Sequence, residues 1–360
     1  FLLSLISFSQ ISKVHYIPPL TANDLQQGGG GSIPYDQHLY LSTPSTSDVT
    51  VKITLLSTGQ EITYTDLRNN NPKVYQLTVD NPNQEQALNG VLFVDKDSTG
   101  NNTLSSGLVI EADCPVYASI RYNAGAQAGA LVSKGDASLG THFRTGMMTN
   151  GNQNEENQAQ NTTNSHNLNF ISVLATQDNT IVRFDLPNAS SNLQIANYNY
   201  NGNPIVKTLN RHESMIIATD AREANNDGEN RFALIGALVR SIDDSGSVIV
   251  EDPTKPIVVN VGSASGTFMS TEGGHDHGVD QIVGLDRVGH EYIFVKGNGA
   301  GGDLETPLII GAVDGTQIYI NDDTNPIATI DAGDYYLIPP QYYTTLGSTI
   351  SSQGSTMYVR

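Results

Sequence analysis

The sequence predicts an all-β protein made of tandem β-sandwich-like units, the last of which is truncated. Three observations favour this fold class. Apolar and polar residues alternate with a period of two through much of the chain, as they do in half-buried strands. Segments with helical periodicity and helix caps are nearly absent. Only 15% of the 360 residues are charged, and the polar residues are mainly Asn, Thr, Ser, Gly and Gln, a composition typical of turn-rich β proteins.

Three alternating segments follow turn residues and are predicted to be equivalent strands. They cover residues 49–55, 179–184 and 316–320. An aromatic-centred strand is predicted before each of them. These strands lie at 14–17, 141–144 and 290–293. The second and third copies continue through a tight turn into an apolar stretch, at 208–218 and 329–338, where a hairpin is the simplest prediction. The recurrence of these segments indicates an internal repeat.

The repeat divides the mature chain into three predicted units. They are β unit 1 (10–139), β unit 2 (140–288) and a partial β unit 3 (289–360). Matching strand pairs close the first two units, at 106–120 and 246–261, and the second pair contains the apolar runs 248–250 and 257–261. Unit 3 reaches only 355–360, midway through such a pair, so we expect the parent protein to continue beyond Arg360 and to supply the strand that this edge needs.

The first nine residues, 1–9, form a short apolar run that ends in small residues. This pattern is typical of the end of a secretory signal peptide, with cleavage after Ser9. The run is too short to span a bilayer, and no later stretch approaches the required length. The sequence therefore predicts an exported chain without membrane insertion.

The net charge argues against a nucleic-acid-binding protein, and the cysteine count excludes an intrachain disulfide. The net charge of −19 argues against nucleic acid as a partner, because binding phosphate backbones requires clustered Lys and Arg. Cys114 is the only cysteine, so an intrachain disulfide is excluded. We expect Cys114 to lie in an inert, half-buried position beside a strand.

One loop concentrates the side chains that bind divalent metal ions. The predicted metal ligands are His275, Asp276, His277 and Asp280. Imidazole and carboxylate groups are ligands for zinc and similar ions. The alternative is a turn in which the carboxylates accept hydrogen bonds from backbone N–H groups. Segments 95–100 and 223–228 begin like calcium loops but lack the glutamate at the twelfth position. No cofactor is predicted, and calcium is the alternative.

Tyrosines beside amides are the candidate binding residues, because glycan sites combine an aromatic face with polar groups. The candidates are Tyr198, Tyr200 and Asn201 in unit 2, and Tyr335, Tyr336 and Tyr342 in unit 3. Tyrosines in strands also pack across strands, which is the alternative interpretation. The sequence contains no tryptophan, which counts against a glycan site.

No catalytic motif is present in the sequence. There is no G-x-S-x-G turn, no C-x-x-C pair and no H-E-x-x-H helix. The prediction is therefore that the chain is not an enzyme.

Six segments resemble the IgGFc-binding protein N-terminal domain family. They are HYIPPL (15–20), AGAQAGALVSKG (124–135), LGTHF (139–143), PIVVNVGSASG (256–266), DHGVDQIVG (276–284) and GHEYIFVKG (289–297). The resemblance implies an exported, non-enzymatic surface module of several β domains, of the kind found in large gliding-associated surface proteins of Bacteroidota-type bacteria. The cysteines of the vertebrate members are missing, so immunoglobulin binding is not carried over.

These observations predict a secreted or bacterial cell-surface adhesion and scaffolding module. Its expected partner is a glycan or an extracellular protein, bound through an extended β surface, together with neighbouring domains of a larger chain. Two alternatives stay open at this point. One is a lectin or hydrolase that depends on calcium or zinc, and the other is a structural spacer of a large surface protein.

Overall fold

The computed structural model describes residues 10–22, 34–78, 90–124, 127–149, 168–189, 193, 195–219, 232–244, 248–266, 276–297, 306–344 and 355–360. Strands dominate these residues, and no helix among them reaches seven residues. The all-β prediction is confirmed. None of the helices in these ranges is long and apolar enough to cross a membrane. The half-buried position predicted for Cys114 is also confirmed.

The strands of unit 1 are β1 (Ser12–Ile17), β2 (Leu20–Ala22), β3 (Tyr35–Ser42), β4 (Val49–Leu55), β5 (Gln60–Leu67), β6 (Lys73–Gln76), β7 (Phe93–Asp95), β8 (Leu108–Ala124) and β9 (Gln127–Val132). Those of unit 2 are β10 (His142–Arg144), β11 (Leu168–Ala175), β12 (Thr180–Asp185), β13 (Ile205–Leu209), β14 (Ser214–Ala218), β15 (Leu238–Asp243), β16 (Val250–Glu251), β17 (Ile257–Gly266) and β18 (Asp276–Gln281). Those of unit 3 are β19 (Tyr292–Val295), β20 (Leu308–Ile310), β21 (Thr316–Ile318), β22 (Ala328–Ile330), β23 (Tyr335–Leu337) and β24 (Thr356–Val359). Short 3₁₀ helices lie at Lys96–Ser98, Gly135–Ser138, Leu285–Arg287 and Pro340–Tyr342.

The long strand β8 belongs to both sheets of unit 1. Its first half pairs with β1 and β4, which gives a first sheet in the order β1-β8-β4-β5. Its second half pairs with β3 and β9, which gives a second sheet in the order β9-β8-β3-β6. In addition, β2 and β7 form a short parallel pair.

Unit 2 repeats this arrangement with two separate strands in place of β8. Its first sheet has the order β10-β15-β12-β13, and its second sheet has the order β18-β17-β11-β14. Unit 3 follows the same scheme, with β19-β24 and β21-β22 in its first sheet and β20-β23 in its second. A bridge between Ile320 and Val359 joins β24 to the end of β21. Strand pairing thus follows the same order along the chain in units 1 and 2.

The two predicted hairpins are wrong. β13 pairs with β12, whereas β14 pairs with β11 in the other sheet, so the turn between them crosses from sheet to sheet. β22 and β23 are separated in the same way. The crossing lets both sheets of a unit close over one core, to which Val182, Phe184, Val173 and Met215 all contribute in unit 2.

The predicted closing strand at 248–250 is also misplaced. Val248 is 69% exposed and Val250 is 51% exposed, and only Val250 and Glu251 pair, at the end of β15. The position that the first half of β8 occupies in unit 1 is taken in unit 2 by Leu238–Asp243, which pairs with β10 and β12. The other half of the predicted pair, at 257–261, is correct.

The second sheet of unit 2 is buried on both faces. Ile171 and Ile217 point into the core of unit 2, whereas Phe170 and Ile216 pack into the core of unit 1. Strands covered on both sides read as continuous apolar runs rather than as alternating patterns. All five residues of β14 are accordingly buried. Units 1 and 2 therefore share a packed interface that runs along this sheet.

Gln281 is the polar centre of the interface between units 1 and 2. It is fully buried; its Nε2 donates to the Tyr16 carbonyl at 2.9 Å and to Asn260 Oδ1 at 3.2 Å, and its Oε1 accepts from the Lys134 backbone N–H at 2.7 Å. Asn260 in turn donates from Nδ2 to the Pro18 carbonyl at 2.9 Å. Four of the segments that carry the family resemblance thus meet at this one interface.

His15 lies beside this interface, because its partner Ser133 also donates from Oγ to Gln281 Oε1 at 3.1 Å. The burial of the His15 ring predicts a pH dependence of stability. The ring is fully buried; its Nε2 donates to the Val116 carbonyl at 2.9 Å, and its Nδ1 lies 3.0 Å from Ser133 Oγ. Desolvation by burial lowers the pKa of His15 below its usual 6.5, although backbone hydrogen bonds oppose this shift. Above pH 6.5 the ring is neutral in both the folded and the unfolded chain, and its full contribution to the free energy of unfolding is present. Below pH 6.5 the ring takes up a proton more readily in the unfolded chain than in the folded one, so the free energy of unfolding falls.

We expect the melting temperature of the chain to fall as the pH is lowered from 6.5 to 5. His15→Gln keeps a side-chain donor and acceptor but cannot titrate in this range, so its melting temperature is expected to change less. Burial also lowers the pKa of His212. The melting temperature of the variant is therefore expected to keep a weaker dependence on pH. Thermal melts at several pH values measure both slopes, and equal slopes would contradict the assignment to His15.

The interface between units 2 and 3 depends on two glycines. Gly236 has a φ of +76°, and a Cβ there would lie 1.8 Å from the Gly333 carbonyl oxygen. Asn188 Nδ2 donates to the Ile235 carbonyl at 2.9 Å and to the Gly333 carbonyl at 3.0 Å. Leu308 and Ile310 of β20 pack against the core of unit 2. Unit 3 is therefore held by close backbone contact and by one face of its second sheet.

Candidate functional site

The outward side of the second sheet of unit 1 is an exposed β surface that carries aromatic and apolar side chains. We call it the open face; its residues are His38, Tyr40, Ser42, Val74, Gln76, Tyr117, Ser119, Arg121, Asn123, Ala130 and Val132. The register places Val74, Tyr40, Ser119 and Val132 side by side across four strands. Residues directly opposite one another in a ladder share a face of the sheet. The four strands thus present one continuous surface.

Large side chains on the open face are exposed to solvent. Tyr40 is 37% exposed, Tyr117 is 44%, Val74 is 49% and Val132 is 39%. The Arg121 guanidinium lies 5.2 Å from the centroid of the Tyr40 ring, in a cation–π arrangement. Aromatic residues and arginine are the residue types enriched where proteins bind one another. Tyr40, Tyr117 and Arg121 of the open face belong to these types.

A cleft of 590 Å³ lies at the end of the open face, beside β18. His38, Arg121 and Asn123 line it together with Asp36 and His277. Asn123 Nδ2 donates to Asp36 Oδ2 at 2.7 Å, and His38 Nδ1 lies 3.4 Å from Asp36 Oδ1. Carboxylate, amide, imidazole and guanidinium groups thus meet beside an aromatic ring, and this combination can bind a polar ligand.

Local backbone features shape the cleft. Asp36 has a φ of +53°, and the register of β3 against β8 shifts between Tyr35 and His38, as in a β-bulge. Bulges redirect side chains at the edges of sheets, and this one brings the Asp36 carboxylate over Asn123. A Cβ at Gly129 would lie 2.2 Å from the Tyr122 ring, so only glycine leaves room for Tyr122 on the floor of the cleft.

Faces equivalent to the open face are covered in the other two units. The outward residues Phe170, Ile216 and Val279 of the second sheet of unit 2 pack on unit 1. In the second sheet of unit 3, Leu308, Ile310 and Tyr335 pack on unit 2. Each of these faces is thus a docking surface for the preceding unit. On unit 1 the same side of the sheet is exposed and carries more polar residues, as expected of a surface that is soluble without its partner.

The predicted metal residues His277 and Asp280 contact different groups in the structure. Ring centroids of His277 and Tyr122 lie 5.6 Å apart, and His277 is 8% exposed. Asp280 accepts from Lys134 Nζ at 2.7 and 2.8 Å. His275 lies outside the described residues, and only the backbone of Asp276 is described, paired with Gly266. The described ranges contain no group of three metal-ligating side chains, and the metal site stays a prediction.

The two segments that begin like calcium loops, 95–100 and 223–228, are described only in part. Asp95 Oδ1 accepts from the Asp97 backbone N–H at 2.7 Å, as in a polar turn. The segment 223–228 lies outside the described residues.

The predicted tyrosines lie in three separate places. Tyr198 and Tyr200 pack against the core of unit 2, and exposed Asn201 accepts from the Asn203 backbone N–H at 3.1 Å. Tyr335 packs at the interface of units 2 and 3, whereas Tyr336 and Tyr342 pack on the core of unit 3. Burial raises the pKa of Tyr200 and of Tyr335. Their role in binding is untested.

Sequence reasoning missed the residues of the open face. Tyr40 and Arg121 are far apart in the sequence, and only the pairing of β3 with β8 makes them neighbours. The available sequence signal was the alternation in β3, where His38, Tyr40 and Ser42 alternate with buried residues at 37, 39 and 41.

The fold defines an all-β protein with several sheets. The sequence model of the IgGFc binding protein family matches residues 128–359, more than half of the chain, and the chain belongs to this family. The predicted resemblance is confirmed. Comparison with curated proteins finds no match, and comparison with solved structures finds none. Domains of this family are binding domains and are typically extracellular.

Proposed function

We propose that the chain is an exported, non-enzymatic adhesion and scaffolding module, made of the three units predicted at 10–139, 140–288 and 289–360. In this proposal the open face of unit 1 binds an extracellular protein. The observation that carries the proposal is the exposed row of Val74, Tyr40 and Val132 beside the Arg121 guanidinium. A secreted or cell-surface location is part of the proposal and is supported by the signal-peptide pattern at 1–9 and by the family. That the source is a gliding bacterium follows from the resemblance alone.

Two features favour a protein as the partner. The open face is broad, because it extends over four strands, whereas small-molecule sites are concave. In addition, the equivalent faces of units 2 and 3 are covered by protein. The residues of the open face lie mostly before the family match begins at 128, so this surface is proposed from geometry and not from the family.

A glycan is the second candidate, and the cleft favours it. Asp36, His38 and Asn123 supply hydrogen-bonding groups beside the Tyr40 ring, and sugars bind where such groups adjoin an aromatic face. The two candidates differ in the residues that matter most. A glycan depends on the cleft residues, whereas a protein depends also on Val74 and Tyr117 at a distance from it.

Tyr40→Ser combined with Arg121→Ser is expected to weaken binding at least tenfold, which is about 1.4 kcal/mol. Both residues are exposed, so the fold is expected to keep its stability to within about 0.5 kcal/mol. Binding is measured first on a panel of glycans, mucin and other extracellular proteins, and then by titration of the variant with each ligand found.

The matched control is Val206→Ser combined with Val248→Ser, two exposed residues (48% and 69%) that lie outside the open face. We expect this control to bind like the wild type. Equal affinity of both double variants would contradict the proposal, and the absence of any ligand on the panel would favour a structural spacer.

A further inference from the structure

Three arginines lie together on the outer face of the first sheet of unit 2. Apolar residues of this sheet such as Phe184 and Val239 point into the core of unit 2, and the residues that alternate with them point the other way. Those outward residues include Arg144 on β10, Arg183 on β12 and Arg240 on β15, which we call the arginine cluster. Arg183 and Arg240 are directly opposite each other in the ladder, and Arg144 is diagonal to Arg240. Like charges in such positions destabilise a sheet.

Asp185 balances part of this positive charge. Its Oδ1 accepts from Arg183 Nε at 2.9 Å and from Arg183 Nη2 at 2.6 Å, and its Oδ2 accepts from Arg240 Nη2 at 2.9 Å. Burial raises the pKa of Asp185, but these hydrogen bonds outweigh burial and lower the pKa overall, so the carboxylate is ionised at neutral pH. In the described part of the chain, one carboxylate hydrogen-bonds to a cluster of three guanidinium groups. The cluster is therefore locally cationic in a chain whose net charge is −19.

The charge of Arg144 is the least balanced of the three. Its Nη1 donates to the Gly236 carbonyl, a neutral acceptor, at 2.9 Å. Burial lowers the pKa of Arg144, and the charges of Asp185 and Asp314 oppose this shift only in part. Asp314 also accepts from the Ala332 backbone N–H at 3.0 Å. A partly buried charge without a close partner of opposite sign is costly, and a bound anion would lower that cost.

Two guanidinium nitrogens of the cluster are donors that lack an acceptor. Arg144 Nε and Arg240 Nε are both buried, and neither has a hydrogen-bond partner among the described residues. Buried donors in proteins are nearly always paired, and each unpaired one costs about 1–3 kcal/mol. These two nitrogens therefore indicate a place where an anionic acceptor fits.

The arginine cluster is accessible from solvent. The side chains of Arg183 and Arg240 are 20% and 19% exposed. His142, which is directly opposite Arg240, lines a cleft of 780 Å³ between units 2 and 3 together with Arg144. A ligand can thus reach the guanidinium groups without unfolding of the sheet.

We propose that the arginine cluster binds a sulfate or phosphate ester group of a ligand. The shared chemistry is a tetrahedral oxyanion, whose oxygens accept pairs of N–H groups from the planar guanidinium fork. Such a group offers at least three oxygens to three guanidinium groups, whereas a carboxylate offers two. Three arginines fit one ester group and are too few for a nucleic-acid backbone, which needs many cationic contacts. This site lies on unit 2 and is independent of the open face of unit 1.

Sodium sulfate and sodium phosphate are the first probes, with sodium chloride at equal ionic strength as the reference. Near saturation, at least one of the two anions is expected to raise the melting temperature of the 360-residue chain by about 3 °C above the chloride reference. Sulfate and phosphate also stabilise proteins in general through exclusion from their surface. The readout is therefore a shift that saturates and that depends on the arginines. Galactose 6-sulfate and galactose 6-phosphate, titrated by calorimetry, then distinguish the two sources of the oxyanion.

Variants of the chain complete the test. Arg240→Gln and Arg144→Gln are each expected to weaken binding of the preferred ester at least tenfold. A glutamine at 144 can still donate to the Gly236 carbonyl, so this variant tests binding even if loss of the ion pair with Asp185 disturbs the fold of the other.

Arg68→Gln is the matched control, because Arg68 donates from Nη2 to Asp48 Oδ2 at 2.9 Å on the surface of unit 1. It loses the same charge and a similar ion pair outside the arginine cluster, and we expect it to bind like the wild type. The proposal would be overturned by a shift no larger than that in chloride, by the binding of neither ester, or by equal affinity of Arg144→Gln and Arg68→Gln.

Discussion

Gln281→Leu is expected to lower the free energy of unfolding by about 4 kcal/mol. Leucine fills a similar volume but removes the amide, which leaves the Lys134 N–H, the Tyr16 carbonyl and the Asn260 side-chain oxygen without this partner in a buried interface. Each buried polar group that loses its partner costs about 1–3 kcal/mol. Chemical denaturation followed by tyrosine fluorescence or circular dichroism measures the change.

Gln60→Leu is the matched control, because Gln60 is an exposed residue at the start of β5. We expect this replacement to change the free energy of unfolding by less than about 0.5 kcal/mol. If the two variants were to differ by less than 1 kcal/mol, the interface between units 1 and 2 would not depend on the Gln281 amide.

Gly236→Ala is expected to displace unit 3 from unit 2 and to destabilise the chain by about 3 kcal/mol. The left-handed φ of +76° costs an alanine about 1 kcal/mol, and the new methyl group overlaps the Gly333 carbonyl oxygen at 1.8 Å. Overpacking of this kind costs about 1–3 kcal/mol more. Hydrogen exchange is the readout, and the amides of β20 and β23 are expected to exchange faster in the variant.

Gly202→Ala separates the two contributions, since Gly202 has a φ of +83° but no atom within 4 Å of a built Cβ. Gly202→Ala therefore introduces the backbone strain of an alanine at a left-handed φ without an overlap between its methyl group and a carbonyl oxygen. Its exchange in β20 and β23 is expected to match that of the wild type. The same loss of stability in both glycine variants would show that close contact with Gly333 does not hold unit 3.

The sequence predicts strands well wherever one face is buried and the other is wet. The segment at 49–55 is observed with the predicted bounds, as β4, whereas the strand predicted at 290–293 is observed two residues later, as β19. In β4 and β12 buried residues alternate with partly buried or exposed ones, as the sequence pattern predicts. The prediction of a core strand at Val248–Val250 is wrong, because an apolar run has the same sequence pattern whether it packs on a core or is exposed to solvent.

The hairpins were mispredicted because a tight turn between two apolar strands looks the same whether the strands pair or separate. One signal was present: β13 alternates between buried and exposed residues, whereas β14 is buried throughout. Partners in one hairpin share the same two faces, so such a mismatch indicates different sheets. β14 is buried throughout because unit 1 packs on its outer face. The sequence near β14 does not reveal this contact.

Site prediction from the sequence favoured residues that are close together in the chain. Neighbours on a strand point to opposite faces, and Tyr335 and Tyr336 accordingly pack on different cores. The open face is assembled instead from four strands, and its central pair, Tyr40 and Arg121, comes from β3 and β8. Strand register, which the sequence does not reveal, decides this site.

Hydrogen exchange with and without a bound ligand tests the central claim most directly, namely that the open face of unit 1 is the binding surface. Once a ligand has been found on the panel, we predict that it slows amide exchange in β3, β6, the second half of β8 and β9. Exchange around Tyr198–Tyr200 and Tyr335–Tyr342 is expected to stay unchanged. Protection at those tyrosines without protection of the four strands of the open face would contradict the account.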